Sequence, residues 1–243
     1  MLILGIESAT AQVGCALGGH EGVLASAHSA RNRRHAESLV PSIEFVCAQA
    51  QVELSDLGAI AVDVGPGLFT GLRVGIATAK AIAQTLRIPV IPIGSLDLLA
   101  FPARFSDRVI AAVVDARRGE VFSALYRQVP GGVQRTTEPR VGSPEDLVAE
   151  LQSTGEDVLV VGDGALRYQN ELRSLVRVEV CAHGISSPSA RDLVLLAHHH
   201  ALREEWVQPR DVAPTYLRGP DAEINWQTRD GVASPIAEAD RGR

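Results

Sequence analysis

The sequence predicts an α/β protein of mixed sheets with flanking helices, and three features of the 243-residue chain carry that prediction. Short strand-like runs separated by turn residues open it, a strand–helix–strand crossover follows over residues 59–93, and the strand pattern restarts near Val109. The length suits two lobes better than one compact core. We read residues 1–105 with 188–218 as the first lobe, 106–187 as the second, and 219–243 as a flexible tail.

Residues 2–7, 13–17 and 23–27 are apolar runs broken by small residues and by Gly18-Gly19, the pattern of a three-stranded antiparallel meander. From Ala36 the residues Leu39, Val40, Ile43, Val46, Cys47 and Ala50 keep the i, i+3, i+4 spacing of an amphipathic helix. Pro41 lies inside it and, lacking an N–H, should kink or weaken one turn. Phe45 falls off the apolar stripe and would project from a face where a monomer gains nothing from an aromatic ring. Residues 59–64 form a strand, Gly65-Pro66-Gly67 turns the chain, and Thr70 caps a helix to about Leu86. Residues 88–93 supply the parallel strand that completes the crossover.

In the second half, 109–115 and 121–126 read as strands, 144–152 as a helix and 158–161 as a strand. Residues 189–205 read as a long helix capped by Ser189, with Ala190, Leu193, Val194, Ala197 and Ala201 on one face, packing back on the first lobe. Beyond Arg218 periodicity gives way to charged residues with Pro, Gly and Ser, as in a frayed tail.

Composition narrows the function. A hydrophobic content of 46% excludes general disorder. The formal net charge is −6 and Lys80 is the sole lysine, which disfavours strong direct binding of nucleic acid. Cys15, Cys47 and Cys181 are odd in number and far apart, each in an apolar run, so buried thiols in a reducing compartment are expected rather than disulfides. No apolar stretch reaches the ~18 residues of a membrane span, and the chain enters a strand without a basic leader. A cytoplasmic location and no membrane association are expected.

The helix over 70–86 is the most telling element. Arg73, Lys80 and Gln84 are its only large polar side chains, so it should be nearly surrounded. Gly71, Gly75, Ala79 and Ala83 recur every four residues, a ridge of small side chains that lets another layer approach closely. That layer is either this chain's own or a partner's, and the outlying Phe45 on the preceding helix points to a partner.

Sites of chemistry are sparse. The loop Gly65-Pro66-Gly67-Leu68-Phe69-Thr70-Gly71 leads into a helix N-terminus, where Gly67 and Thr70 either hold an anion or simply form a turn and a cap. It is neither a P-loop nor G-x-G-x-x-G. His198-His199-His200 are adjacent and diverge by about 100° on a helix, and His35 has no second histidine at ligand spacing, so no metal or cofactor is expected. No nucleophile elbow or signature cysteine occurs. Glu7 and Asp115, at strand ends opening each lobe, are the acidic candidates for a cleft; each can equally cap a turn.

Four segments in order, Ile6-Glu7-Ser8-Ala9-Thr10, Arg34-His35-Ala36-Glu37-Ser38-Leu39-Val40-Pro41, Gly65 to Gly75, and Val114-Asp115-Ala116-Arg117-Arg118-Gly119-Glu120-Val121, resemble the TsaB family, also called YeaZ or glycoprotease-like. Pro214-Thr215-Tyr216-Leu217-Arg218 resembles that family's closing segment. The resemblance covers about residues 1–126 and 213–218. It implies an actin/Hsp70-like two-lobe fold and a non-catalytic scaffold role in forming N6-threonylcarbamoyladenosine at position 37 of tRNA. The implied partners are a catalytic TsaD-like homologue, a TsaE-like ATPase, a second copy of the chain, and tRNA reached through the complex.

The resemblance also implies an interface on the first lobe's two helices, carried onto Leu39, Ile43, Phe45, Leu72, Gly75, Ile76 and Ala79. Where catalytic homologues carry a His-x-x-x-His metal pair, this chain has Gly94-Ser95-Leu96-Asp97-Leu98-Leu99, which supplies no imidazole. Ser8-Ala9 replaces the glycine that nucleotide-using relatives employ to approach phosphate. The competing reading is a nucleotide-dependent enzyme or peptidase of the same superfamily, using Glu7 and Asp115 about a metal.

Overall fold

The computed structural model describes residues 1–30, 35–181 and 183–218; Arg34 and the predicted tail 219–243 lie outside the described residues. The chain opens with β1 (Ile3–Glu7), β2 (Val13–Gly19) and β3 (Gly22–Ser29), followed by α1 (His35–Ala50), β4 (Ala59–Asp63), α2 (Phe69–Leu86) and β5 (Val90–Ile93). A short α3 (Ser95–Ala100) leads to β6 (Val109–Arg117), β7 (Glu120–Val129), β8 (Gly132–Arg135) and β9 (Arg140–Gly142). Then come α4 (Pro144–Thr154), β10 (Val158–Val161), α5 (Asp163–Arg167), α6 (Gln169–Leu172), β11 (Val178–Val180) and α7 (Ala190–Leu202).

Two sheets result, built on one plan. The first has order β3-β2-β1-β4-β5, the second β11-β10-β6-β7-β8 with β9 paired to β7. In each, an antiparallel meander is extended by two parallel strands whose connections pass through helices: β1 pairs β2 antiparallel and β4 parallel, and β6 pairs β7 antiparallel and β10 parallel. This doubled plan is the actin/Hsp70-like architecture that the resemblance implies.

Alternation along the strands shows why both faces are covered. In β1 and β4, Leu4, Ile6, Ile60 and Val62 join a core with Leu39, Ile43 and Val46 of α1 and Leu72, Ile76 and Ala79 of α2. The alternate residues Ile3, Ala59 and Ala61 join Leu193, Ala197 and Ala201 of α7 on the opposite face. Gly5 is small for the same reason, since a Cβ there would lie 2.8 Å from a Val194 methyl. In the second sheet Ile110, Ala112 and Val114 pack with Leu96, Leu99 and Ala100 of α3, while Val109, Ala111 and Val113 pack with Leu147 and Leu151 of α4. Leu98 of α3 belongs to the α7 core instead, so this short helix is wedged between the sheets.

The segment after α7 is a strap. Val207 bridges Val90, Lys80 Nζ donates to the Val212 carbonyl at 3.1 Å, and Thr215 N donates to Val64 O at 2.7 Å. Leu217 then packs into the second sheet's core, and Arg218 bonds the Ala116 carbonyl and Glu120.

Several expectations are corrected. Thr70 is not a cap: α2 begins at Phe69 with Leu68 at the cap position, and Thr70 is exposed in the first turn. The helix predicted to Glu205 ends at Leu202, while Ser189 caps it by accepting from Arg191 N. α1 runs through Pro41 without a break, with Ser42 Oγ bonded to the Ser38 carbonyl one turn back. α2 is not surrounded either, since Phe69, Arg73, Ala77, Ala81 and Gln84 are exposed along its outer side.

Its ridge of small residues faces inward and is covered by this chain: Ser8 Oγ donates to the Gly71 carbonyl at 2.9 Å, and a Cβ on Gly75 would lie 2.2 Å from Ser8 Oγ. The structure thereby places Leu39, Ile43, Leu72, Gly75, Ile76 and Ala79 in the monomer's own core, leaving only Phe45 of the carried-over interface exposed, at 53%.

Candidate functional site

The shared plan of the sheets brings four carboxylates to equivalent strand ends. Glu7 ends β1 and Asp63 ends β4; Asp115 lies near the end of β6 and Asp163 follows β10 after Gly162. Because Ile6 is in register with Val62 on parallel strands, Glu7 and Asp63 are neighbours. Sequence reading found Glu7 and Asp115 but missed Asp63 and Asp163. Each missed residue does carry a signal, an acid at the C-terminal end of an apolar strand run just before a glycine turn.

The Glu7–Asp63 pair is sealed, with exposures of 1% and 0%. Glu7 Oε1 accepts from Ala9 N at 2.8 Å. Asp63 Oδ1 accepts from Gly65 N at 2.8 Å and Ser95 Oγ at 2.6 Å, while its Oδ2 has no hydrogen-bond partner. Burial, then the neighbouring Asp63 charge, holds the Glu7 carboxyl well above the usual carboxylate range. Burial raises Asp63 to about 7, against the Ser95 and Gly65 hydrogen bonds that lower it. These bonds fasten the Gly65-Pro66-Gly67 turn to the start of α3.

Of the two readings of the loop at Gly67 and Thr70, an anion site or a turn, the contacts of Gly67 and Leu68 fit the turn. Leu68 N donates to the Ala9 carbonyl at 2.7 Å, and a Cβ on Gly67 would lie 2.3 Å from the same oxygen. The loop after β1 therefore packs against the turn that precedes α2, and the glycine is required for that close approach. A cavity of about 240 Å³ beside Glu7 is lined by Gln12, His28, Ser189 and Arg191.

Asp115 sits among cations. Its Oδ1 accepts from Arg117 N at 2.9 Å, and its Oδ2 lies 3.1 Å from Arg117 Nη1 and 3.3 Å from Arg167 Nη1. Asp163 Oδ1 accepts from Asp115 N at 2.9 Å. Gly162 and Gly164 allow that approach, since Cβ atoms on them would lie 2.0 Å and 2.8 Å from Val113 atoms. Burial raises the Asp163 carboxyl.

Among the described residues no group of three or more His, Cys, Asp or Glu side chains is placed to hold a metal, and no helix is long and apolar enough to cross a membrane. Cys15, Cys47 and Cys181 are free thiols, with Cys15 pushed up to about 12 by burial.

Exposed large apolar side chains are spread over several elements, Phe105, Val176 and Leu202 being the most exposed, and three of them lie on the helices that cover one face of the first sheet. On α1, Val40 and Phe45 are each 53% exposed, with Pro41 and Ala48 beside Phe45 at helical spacing. At the start of α2 the Arg73 guanidinium stacks 3.7 Å above Phe69, whose ring lies 5.5 Å from Tyr216. Two segments of the motif set, far apart in sequence, meet in this cluster.

Residues 23–226 match the family described as TsaD, tRNA N6-adenosine threonylcarbamoyltransferase. The chain belongs to that family. This member is 26% identical over 228 residues to the tRNA threonylcarbamoyladenosine biosynthesis protein TsaB of Bacillus subtilis, covering 93% of this chain and 98% of that protein. It is 28% identical over 235 residues to the protein of the same name from Escherichia coli, covering 95% and 99%. A crystal structure of an uncharacterized Pseudomonas aeruginosa protein with similarity to peptidase YeaZ matches the fold with a TM-score of 0.77 at 28% identity, covering 89% of this chain and 99% of that one. The TsaB resemblance read from a few motifs thus extends over nearly the whole chain.

Proposed function

We propose that this family member takes part in forming N6-threonylcarbamoyladenosine in tRNA as an accessory subunit that makes no bonds itself. It binds and positions a catalytic TsaD-like homologue in the cytoplasm; a TsaE-like ATPase joins the assembly, a homodimer is an alternative use of the same face, and tRNA is reached through the complex. The names of the relatives support the pathway. The observation that carries the accessory role is the internal use of the cleft: Glu7 and Asp63 are sealed, the turn before α2 is tied to the Ala9 carbonyl through Leu68 N, and Asp115 is paired with two guanidiniums.

The docking face follows from exposure. A buried side chain gains nothing from a partner, so Leu39, Ile43, Leu72, Gly75, Ile76 and Ala79 support the face from beneath rather than touching the partner. Val40, Phe45, Phe69, Arg73 and Tyr216 offer the aromatic, aliphatic and guanidinium surface that dominates protein interfaces.

The test is co-elution with the TsaD-like protein of the same genome. Val40→Asp with Phe45→Ala should abolish the complex while leaving the thermal transition of the isolated chain in place. An unaffected complex would remove α1 from the interface. The enzyme alternative predicts hydrolysis, or binding of Mg-ATP abolished by Asp115→Asn, with the isolated chain.

A further inference from the structure

The strap after α7 passes from one sheet to the other, and its crossing point falls on the proposed docking face. Val212 is buried in the core that α1 and α2 share with the first sheet, and Lys80 Nζ donates to its carbonyl. Thr215 N donates to Val64 O at 2.7 Å, one residue beyond the end of β4. Two residues later Leu217 packs into the core of the second sheet. Arg218 then donates to the Ala116 carbonyl at 3.1 Å and pairs with Glu120, so the strands on both sides of the β6–β7 turn are held.

Tyr216 is the single residue between these two sets of anchors, and it is 47% exposed. Its contacts on α2 are loose. Arg73 Nε donates to its hydroxyl at 3.4 Å, longer than a well-formed hydrogen bond, and its ring meets Phe69 at 5.5 Å and a 32° tilt. Such contacts do not by themselves fix an exposed side chain. The backbone does: Thr215 is fastened to the first sheet, and Leu217 and Arg218 to the second. An aromatic ring held this way has less freedom to lose when a partner covers it.

We infer that Leu217 and Arg218 are positioning residues for Tyr216, so that the second sheet completes a docking face whose other members, Val40, Phe45, Phe69 and Arg73, all stand on α1 and α2. The inference rests on the docking reading and deepens it. A chain whose strap is released must reseat it on binding, and its apparent affinity falls with the fraction seated. Reciprocally, a partner that covers Tyr216 holds the strap down and tightens the β6–β7 turn, which the partner does not touch.

The experiment measures the Kd of the full chain for the TsaD-like protein of the same genome, and hydrogen exchange of the chain free and bound. Tyr216→Ala should weaken binding at least about fivefold. Leu217→Ala/Arg218→Ala alters no side chain of the docking face, yet should weaken binding up to about tenfold, and by no more than Tyr216→Ala does. Added to Tyr216→Ala, the same pair of changes should cost less than about twofold more, because the residue they position is gone. Leu217→Met, which keeps the volume, should bind as wild type does, and Arg218→Ala alone reads the effect where the double variant fails to fold. Docking should slow exchange at the β6–β7 turn of wild type but not of the Leu217→Ala/Arg218→Ala chain. A strap variant that binds as tightly as wild type, strap and Tyr216 losses that multiply, or a turn whose exchange docking leaves unchanged overturns the inference, while the docking reading stands on Val40 and Phe45. No complex with the wild-type chain removes both.

Discussion

Gly75→Ala tests the inward-facing ridge of α2 quantitatively. The added Cβ would lie 2.2 Å from Ser8 Oγ but 3.4 Å from Ser8 Cβ, so nearly all the conflict is with the hydroxyl. That hydroxyl is buried and donates to the Gly71 carbonyl. Displacing it loses a hydrogen bond of about 1 kcal/mol and adds an overpacking cost of about 1–3 kcal/mol. The expected total is about 2–4 kcal/mol, or a fall in Tm of roughly 4–16 °C for a chain of this size. Ser8→Ala alone should cost only about 1 kcal/mol. In the double variant the methyl groups meet near ordinary contact distance, so its stability should approach that of Ser8→Ala. Urea denaturation of the four proteins closes the cycle. A Gly75→Ala protein within about 0.5 kcal/mol of wild type, or single costs that simply add in the double variant, would refute the packing argument.

Burial raises the Asp63 carboxyl to about 7 from an ordinary 3.8, so the native state binds the proton more tightly and this group's contribution to stability should fall as pH rises from about 4 to about 7. Asp63→Asn keeps an acceptor for Gly65 and Ser95 and should be more stable than wild type at pH 8; denaturation midpoints at pH 5 and 8 check this, and equal pH slopes for both proteins would contradict it. Arg218→Ala should loosen the strap, raising hydrogen exchange of the β6–β7 turn without lowering that of the β1–β4 strands. Ser143→Ala should cost about 1 kcal/mol, because the side chain caps α4 through Asp146 N in a reciprocal capping box.

Elements with strong periodicity or an abrupt hydrophobic run were legible in the sequence. The residues of α1, α2 and α7 repeat every three to four positions, and β10 is bounded by turn residues at both ends. The short elements were not legible. β8, β9 and β11 have three or four residues with few buried positions, and their pairing is set by the strands beside them rather than by their own composition. α3 reads as a plain apolar run, and its wedge position depends on two sheets being present at once.

The site shows the same division. Glu7 and Asp115 stand out as acids closing apolar strands, but only the parallel register reveals that Glu7 adjoins Asp63. The small-residue ridge was visible, yet composition does not tell which layer covers it. Ser8, sixty-three residues from Gly71, supplied that answer through one hydrogen bond. Phe45 was separable from the start because it falls off the apolar stripe of α1, whereas Val40, placed on that stripe, is equally exposed.

The accessory role is tested most directly by threonylcarbamoylation of tRNA with the purified TsaD-like protein of the same genome, the other components held constant and this chain present or absent. The account predicts modification only when both chains are present and complexed, and unchanged modification when Asp115→Asn replaces the native chain. Modification by this chain without its homologue would contradict the account, as would full modification in its absence.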